Sequence, residues 1–207
     1  MQEKNEHLDA LHDIRNMMER SSRFISLSGL SGIGAGICAL AAACYIGWRF
    51  SAHNLDSGED PYNLYARFTS TLLYVGIITF VAALLVAFLF TYLRSRKTGV
   101  PIWGTTARRL LINTAIPLVT GGIVVLRLLQ GQLFELIAPM CLVFYGLALI
   151  NGSKYTLKEI RWLGFSEILL GLVNLWFIGY GLYFWGAGFG LLHILYGAIM
   201  WWKYEKA

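Results

Sequence analysis

Six stretches of this chain are apolar for long enough to cross a bilayer as helices, a crossing that takes about 20 residues. They run at 24–48, 70–93, 109–129, 133–151, 162–184 and 187–202. Ahead of them the rhythm changes. Leu8, Leu11, Ile14, Met17 and Met18 form an apolar stripe within residues 5–20, with acids and bases on the other face, which predicts an amphipathic helix. The pattern as a whole predicts an all-α polytopic membrane protein. It is a bundle of six transmembrane helices over residues 24–207, preceded by a short cytoplasmic amphipathic helix over residues 1–23. The first apolar run is read as a retained span rather than a signal peptide ending near Ala41 to Ala43. Its leader is acidic and the run is too long for a signal-peptide core.

Composition sharpens this in one direction. Hydrophobic residues make up 57% of the chain and charged residues only 14%, against about 25% charged in soluble domains, so a soluble globule is close to excluded. The net charge of +5 is informative through its placement. Arg94, Arg96, Lys97, Arg108 and Arg109 flank spans two and three, Lys154, Lys158 and Arg161 precede span five, and Lys203 and Lys206 follow span six. By the positive-inside rule these segments are cytoplasmic, and an even number of spans then puts both termini inside. Basicity here is a topology signal, and no nucleic-acid partner is expected. Trp48, Trp103, Trp162, Trp185, Trp201 and Trp202 fall near span ends, where amphipathic rings favour the headgroup region.

Register arguments give expected helix contacts. Gly164, Glu167, Gly171, Asn174, Ile178 and Gly181 form one stripe on span five, and Gly186, Gly190, His193 and Gly197 form another on span six. With a turn at Trp185–Gly186, Gly181 faces Gly190, Ile178 faces His193 and Asn174 faces Gly197. That puts Asn174 one turn from His193, and Glu167 near Lys203 and Tyr204 at the inner headgroups. Small residues let helices approach closely in lipid, so these stripes are expected to be the contact between the last two helices. The stripe on span one that includes Gly32 and Gly36 is read as packing within the chain or as a homodimer face. A turn near Gly131 sets Arg127 opposite Glu135 as a structural ion pair at the outer edge. Pro117 and Pro139 are possible kink sites in spans three and four.

Few residues are candidates for chemistry. Ionisable groups inside a membrane are the default suspects, and His193 with Asn174 one turn away is a candidate proton or ligand path, with Glu167 as a further candidate. The bland alternative is that these groups only fix helices together. His53, Asp56, Glu59 and Asp60 crowd one external loop without the spacing of an EF-hand or zinc motif, so no metal site is expected. Cys38, Cys44 and Cys141 sit in apolar runs and are read as buried thiols, with no disulfide. Asn151 and Gly152 read as a helix stop, and Thr156 with Glu159 as a capping box for span five. No catalytic motif occurs and no cofactor is expected.

The segments Ser21 to Gly32 (SSRFISLSGLSG), Tyr145 to Glu167 (YGLALINGSKYTLKEIRWLGFSE) and Tyr180 to Gly197 (YGLYFWGAGFGLLHILYG) resemble a group of uncharacterised bacterial integral membrane proteins. The resemblance implies a six-helix fold in a bacterial inner membrane and carries no activity or site residue. Function is therefore an expectation from chemistry alone. The first reading is a non-enzymatic regulatory or accessory membrane protein, with the lipid bilayer as its surroundings and a protein partner engaged through residues 5–20. Homo-oligomers are compatible with it. The alternatives are a small transporter or channel with a polar path at His193 and Asn174, and an intramembrane or lipid-modifying enzyme.

Overall fold

The structure, a computed structural model, describes residues 28–53, 61–99 and 101–206. The expected amphipathic helix at 5–20 and the acidic stretch after His53 lie outside them. Among the described residues the fold is all-helical without strands. Helix α1 is Gly29–His53, α2 Pro61–Thr98, α3 Thr105–Gln130, α4 Ile137–Gly152 and α5 Lys158–Asn174. Helix α6, Gly181–Tyr204, opens with an α-helical turn, widens into a π-helix over Gly186–Leu192 and returns to α from His193. Single 3₁₀ turns at Phe134–Leu136 and Ser153–Tyr155 bracket α4. Five segments are long and apolar enough to cross a membrane: 29–51, 66–98, 105–130, 134–155 and 181–204. Helix α5, at 17 residues, is shorter than these.

The expected span at 162–184 is corrected. The chain leaves the helix at Asn174 and turns through 175–180 before α6 begins, roughly two helical turns earlier than expected. The turn is built locally. Asn174 Nδ2 donates to the Phe177 carbonyl at 3.2 Å, and Gly179 takes a φ of +91°, a backbone geometry that favours glycine. Trp176, Phe177, Ile178, Tyr180 and Tyr183 are all exposed around it, Trp176 at 78%. They continued the apolar run in the sequence, yet aromatic rings are as much at home in the headgroup belt as in a span.

Moving the turn changes which helices touch. The α5 stripe packs on α4, not on α6: a Cβ on Gly164 would press on the Gly146 carbonyl oxygen at 2.8 Å, and one on Gly171 on the Pro139 oxygen at 2.9 Å. The α6 stripe instead packs on α1. A Cβ on Gly36 would reach the Gly190 oxygen at 2.7 Å, one on Gly197 the Gly29 oxygen at 2.7 Å, and Gly32 lies against Gly197. Gly181 sits beside Ala138 and the Asn174 side chain rather than opposite Gly190. Backbones that approach this closely exclude any side chain from the seam, which is how helices gain dispersion contact in a solvent as apolar as themselves. Helix α2 packs mainly on α1 and α3 mainly on α4, each leaving a broad apolar face outward.

Two further expectations change. Arg127 and Glu135 are both exposed and form no ion pair with each other. Gln132 turns at φ +58°, and Glu135 lies in the 3₁₀ turn before α4, whose tighter winding shifts it away from the face that a continuous α-helix would present. Helix α5 starts after Leu157, and the Glu159 carboxylate is taken by Lys203 and Tyr204. Cys44 is exposed on α1, while Cys38 and Cys141 are half-buried.

Pro117 lies inside α3, and the helix continues through it. Proline has no N–H, so the Asn113 carbonyl one turn earlier loses its helical donor. Asn151 of α4 supplies a replacement, donating from Nδ2 to that oxygen at 2.9 Å. Pro139 sits in the first turn of α4, where no donor is needed.

Candidate functional site

At one end of the bundle, polar side chains tie four helices together. Glu205, just beyond α6, accepts from Ser28 Oγ at 3.0 Å and from the Gly29 N–H, so the last helix caps the first. Arg94 of α2 pairs with the same carboxylate at 3.1 Å and also donates to the Tyr204 carbonyl at 3.4 Å. Lys203 Nζ reaches Glu159 Oε1 at 2.6 Å, and Tyr204 donates its hydroxyl to the same carboxylate at 3.1 Å. Glu159 precedes the apolar stretch of α5. Burial pushes its carboxyl up, but the hydrogen bonds from Lys203 and Tyr204 outweigh that and hold it below the ordinary value. Glu159, and not Glu167, is thus the partner of Lys203 and Tyr204.

Glu167 lies deeper. It is nine residues into α5, about 14 Å along the axis from the start of the helix. Its exposure is 0% and that of His193 is 6%. Glu167 Oε1 stands 3.4 Å from His193 Nδ1, and His193 Nε2 is 2.7 Å from the Tyr145 hydroxyl. Tyr145 is in the middle of α4 and His193 in the middle of α6, so three helices each deliver one polar group to one depth. Phe189 packs against both the Tyr145 and His193 rings, with centroids 4.9 and 6.1 Å away.

Backbone geometry makes room for this cluster. A Cβ on Gly188 would collide with Glu167 Oε2 and with a Leu142 methyl, so only glycine leaves space for the carboxylate. Gly188 belongs to the π-helical segment, and its carbonyl accepts from His193 Nδ1 at 3.0 Å. A carbonyl only accepts, so Nδ1 carries the hydrogen and in the neutral ring Nε2 accepts from Tyr145. When the ring is protonated, Nε2 donates to the tyrosine oxygen instead.

Neither oxygen of Glu167 accepts a hydrogen bond, and the 3.4 Å approach of Nδ1 is a charge contact because that N–H is directed at Gly188. A carboxylate alone in such a place costs several kcal/mol. The arrangement sets a carboxyl, an imidazole and a phenol hydroxyl in series, one from each of three helices.

Of the sequence candidates, the structure brings Glu167 and His193 together and leaves Asn174 apart, at the turn beside Gly181. Tyr145 was missed. Its signal was weak, a single hydroxyl in an apolar run, and its helix is not the sequence neighbour of α6. A separate groove of about 340 Å³ opens between α3 and α4, lined by Pro117, Thr120, Phe144, Leu147, Asn151 and Lys154 among others. Among the described residues no group of three or more His, Cys, Asp or Glu side chains is placed to hold a metal ion.

No protein-family model matches the chain, and no curated protein or solved structure matches it either.

Proposed function

We propose that this chain is a small multi-pass transporter in which the Glu167–His193–Tyr145 cluster binds and releases the transported proton. The observation that carries the reading is the buried Glu167 carboxyl, without a hydrogen-bond donor of its own, beside a histidine whose other nitrogen meets a tyrosine hydroxyl. Intramembrane carboxyl and imidazole groups in series are the usual parts of a proton relay. The π-helix that presents His193 adds support, because such widened turns often accompany functional sites.

The setting we infer is a bacterial cytoplasmic membrane with both termini inside. The basic residues at 94–109, 154–161 and 203–206 support that orientation, and the resemblance supports the membrane. The accessory role concerns residues 5–20, which lie outside the described residues. Burial of Glu167 and His193 speaks against a lipid-modifying active site, whose reacting groups must meet substrate.

The test is proton uptake into liposomes containing the full chain under an imposed potential, followed with an entrapped pH dye. Flux above protein-free liposomes is expected, with Glu167→Gln and His193→Ala each reducing it at least tenfold and Tyr145→Phe reducing it less. No flux, or flux indifferent to Glu167→Gln in a folded variant, would refute the reading.

A further inference from the structure

The groove between α3 and α4 belongs to neither the buried cluster nor the polar ties at the end of the bundle. Its wall runs along α4 from Phe144 to Asn151 and ends at Lys154, with Pro117 and Thr120 of α3 opposite. Ten residues separate Phe144 from Lys154, about 15 Å of helix, which equals half of a hydrocarbon core of about 30 Å. The groove thus spans one leaflet, from mid-bilayer to the surface. Its polar groups are largely satisfied from within: Asn151 donates to Asn113, and Thr120 to the Ile116 carbonyl at 2.8 Å. What it offers a ligand along its length is apolar surface.

Its surface end has a different character. Lys154 is exposed there, and Gly152 beside it packs on Leu110 and Thr114, which brings the first turn of α3, with Arg108 and Arg109, to the same level. Lys158 follows three residues after the 3₁₀ turn. Arg108, Arg109, Lys154 and Lys158 are exposed and make no ion pair among the described residues. The nearest acid in sequence, Glu159, is taken by Lys203 and Tyr204, and Glu205 by Arg94. Among the described residues, positive charge is therefore uncompensated at one place on this face, at the mouth of an apolar slot one leaflet long.

We infer that this groove binds an anionic phospholipid, with one acyl chain between α3 and α4 and the phosphate at Lys154 and Arg109. Charge complementarity selects the headgroup and slot length selects the chain. A basic side chain near an anionic headgroup contributes about a fivefold preference. Surface basicity alone would place anionic lipid loosely around the protein, whereas the groove holds one molecule in one place.

Native mass spectrometry of the full chain, released from micelles holding equal phosphatidylglycerol and phosphatidylcholine of the same acyl length, distinguishes these. One retained phosphatidylglycerol is expected, favoured about 25-fold, about fivefold from each of Lys154 and Arg109. Lys154→Ala should lower the preference about fivefold, and with Arg109→Ala abolish it. Leu147→Trp, which fills the groove, should abolish retention, while Ile78→Trp on the outer face of α2 leaves it unchanged. Inorganic phosphate at millimolar concentration should not displace the lipid, because the chain supplies the anchoring. Equal retention of the two lipids, a preference unchanged by Lys154→Ala, retention surviving Leu147→Trp, or displacement by phosphate would each overturn the inference. Lys154 is exposed, so its variant folds, and circular dichroism of each variant checks this.

Discussion

The hydrogen bond across the α3–α4 seam exists because of a proline, and that dependence is measurable. Pro117 withholds the N–H that the Asn113 carbonyl would take in an unbroken helix, and Asn151 Nδ2 fills the vacancy at 2.9 Å. Replacing Asn151 with leucine keeps the bulk and removes the donor. Interhelical hydrogen bonds in membrane proteins average about 0.6 kcal/mol and reach about 1.7. The carbonyl left without a partner moves the cost toward the upper end of that range, within the about 1–3 kcal/mol that an orphaned group costs in all. Asn151→Leu should therefore cost about 1–2 kcal/mol, a factor of about 5–30 in the folding equilibrium.

The informative step is the second background. Pro117→Ala restores an N–H to the helix, so Asn113 has an intrahelical donor again and Asn151 becomes redundant. In that background Asn151→Leu should cost less than about 0.5 kcal/mol, giving a coupling of about 1 kcal/mol between two residues on different helices. Pro117→Ala by itself should not destabilise, since alanine is the better helix former. Reversible unfolding in mixed micelles titrated with sodium dodecyl sulfate, followed by far-ultraviolet circular dichroism, measures all four corners of the cycle. Equal costs of Asn151→Leu in the two backgrounds would refute the reasoning.

Two further outcomes follow from the packing and the polar end of the bundle. Gly188→Ala forces a methyl onto Glu167 Oε2 and Leu142, so it should destabilise by about 1–3 kcal/mol in the same assay; Ala187→Gly, one residue away, serves as the comparison, and a Gly188→Ala cost no larger would contradict the tight fit. Glu159 is held below its ordinary value in the folded chain, so its pairing stabilises fully above the unfolded value of about 4.3 and is lost as pH falls through the lower folded one. The stability gap between wild type and Lys203→Met should be constant from about pH 6 to 8 and narrow in acid; a gap that stays flat to about pH 3 would sink this assignment.

Much of the architecture was legible before any tertiary contact was known. Apolar run lengths predicted the helical membrane class, and the segments at 29–51, 66–98, 105–130, 134–155 and 181–204 fall largely on the expected runs. The stop at Asn151–Gly152 and the turn near Gly131 also lie where the residues point. The turn after Asn174 was illegible for a physical reason. Its exposed Trp176, Phe177, Ile178 and Tyr180 are apolar enough to prolong a span, and the interface accepts them as readily as the hydrocarbon does.

That one displacement reassigned the site. Glu167 and His193 were singled out as ionisable groups in apolar surroundings, a property each residue carries in its own sequence neighbourhood. Their meeting is a different kind of fact. It depends on a turn two helical turns earlier, on the glycine at 188 that leaves room for the carboxylate, and on α4 bringing Tyr145 from a distant part of the chain. The amino-acid sequence by itself determined that the chain is helical, suited to a bilayer and basic at particular ends, because burial in lipid is decided residue by residue. Tertiary structure alone decided which glycine stripe meets which helix. In lipid every helix face is apolar, so hydrophobicity does not separate a contact face from a lipid face, and close packing and hydrogen bonding make the choice.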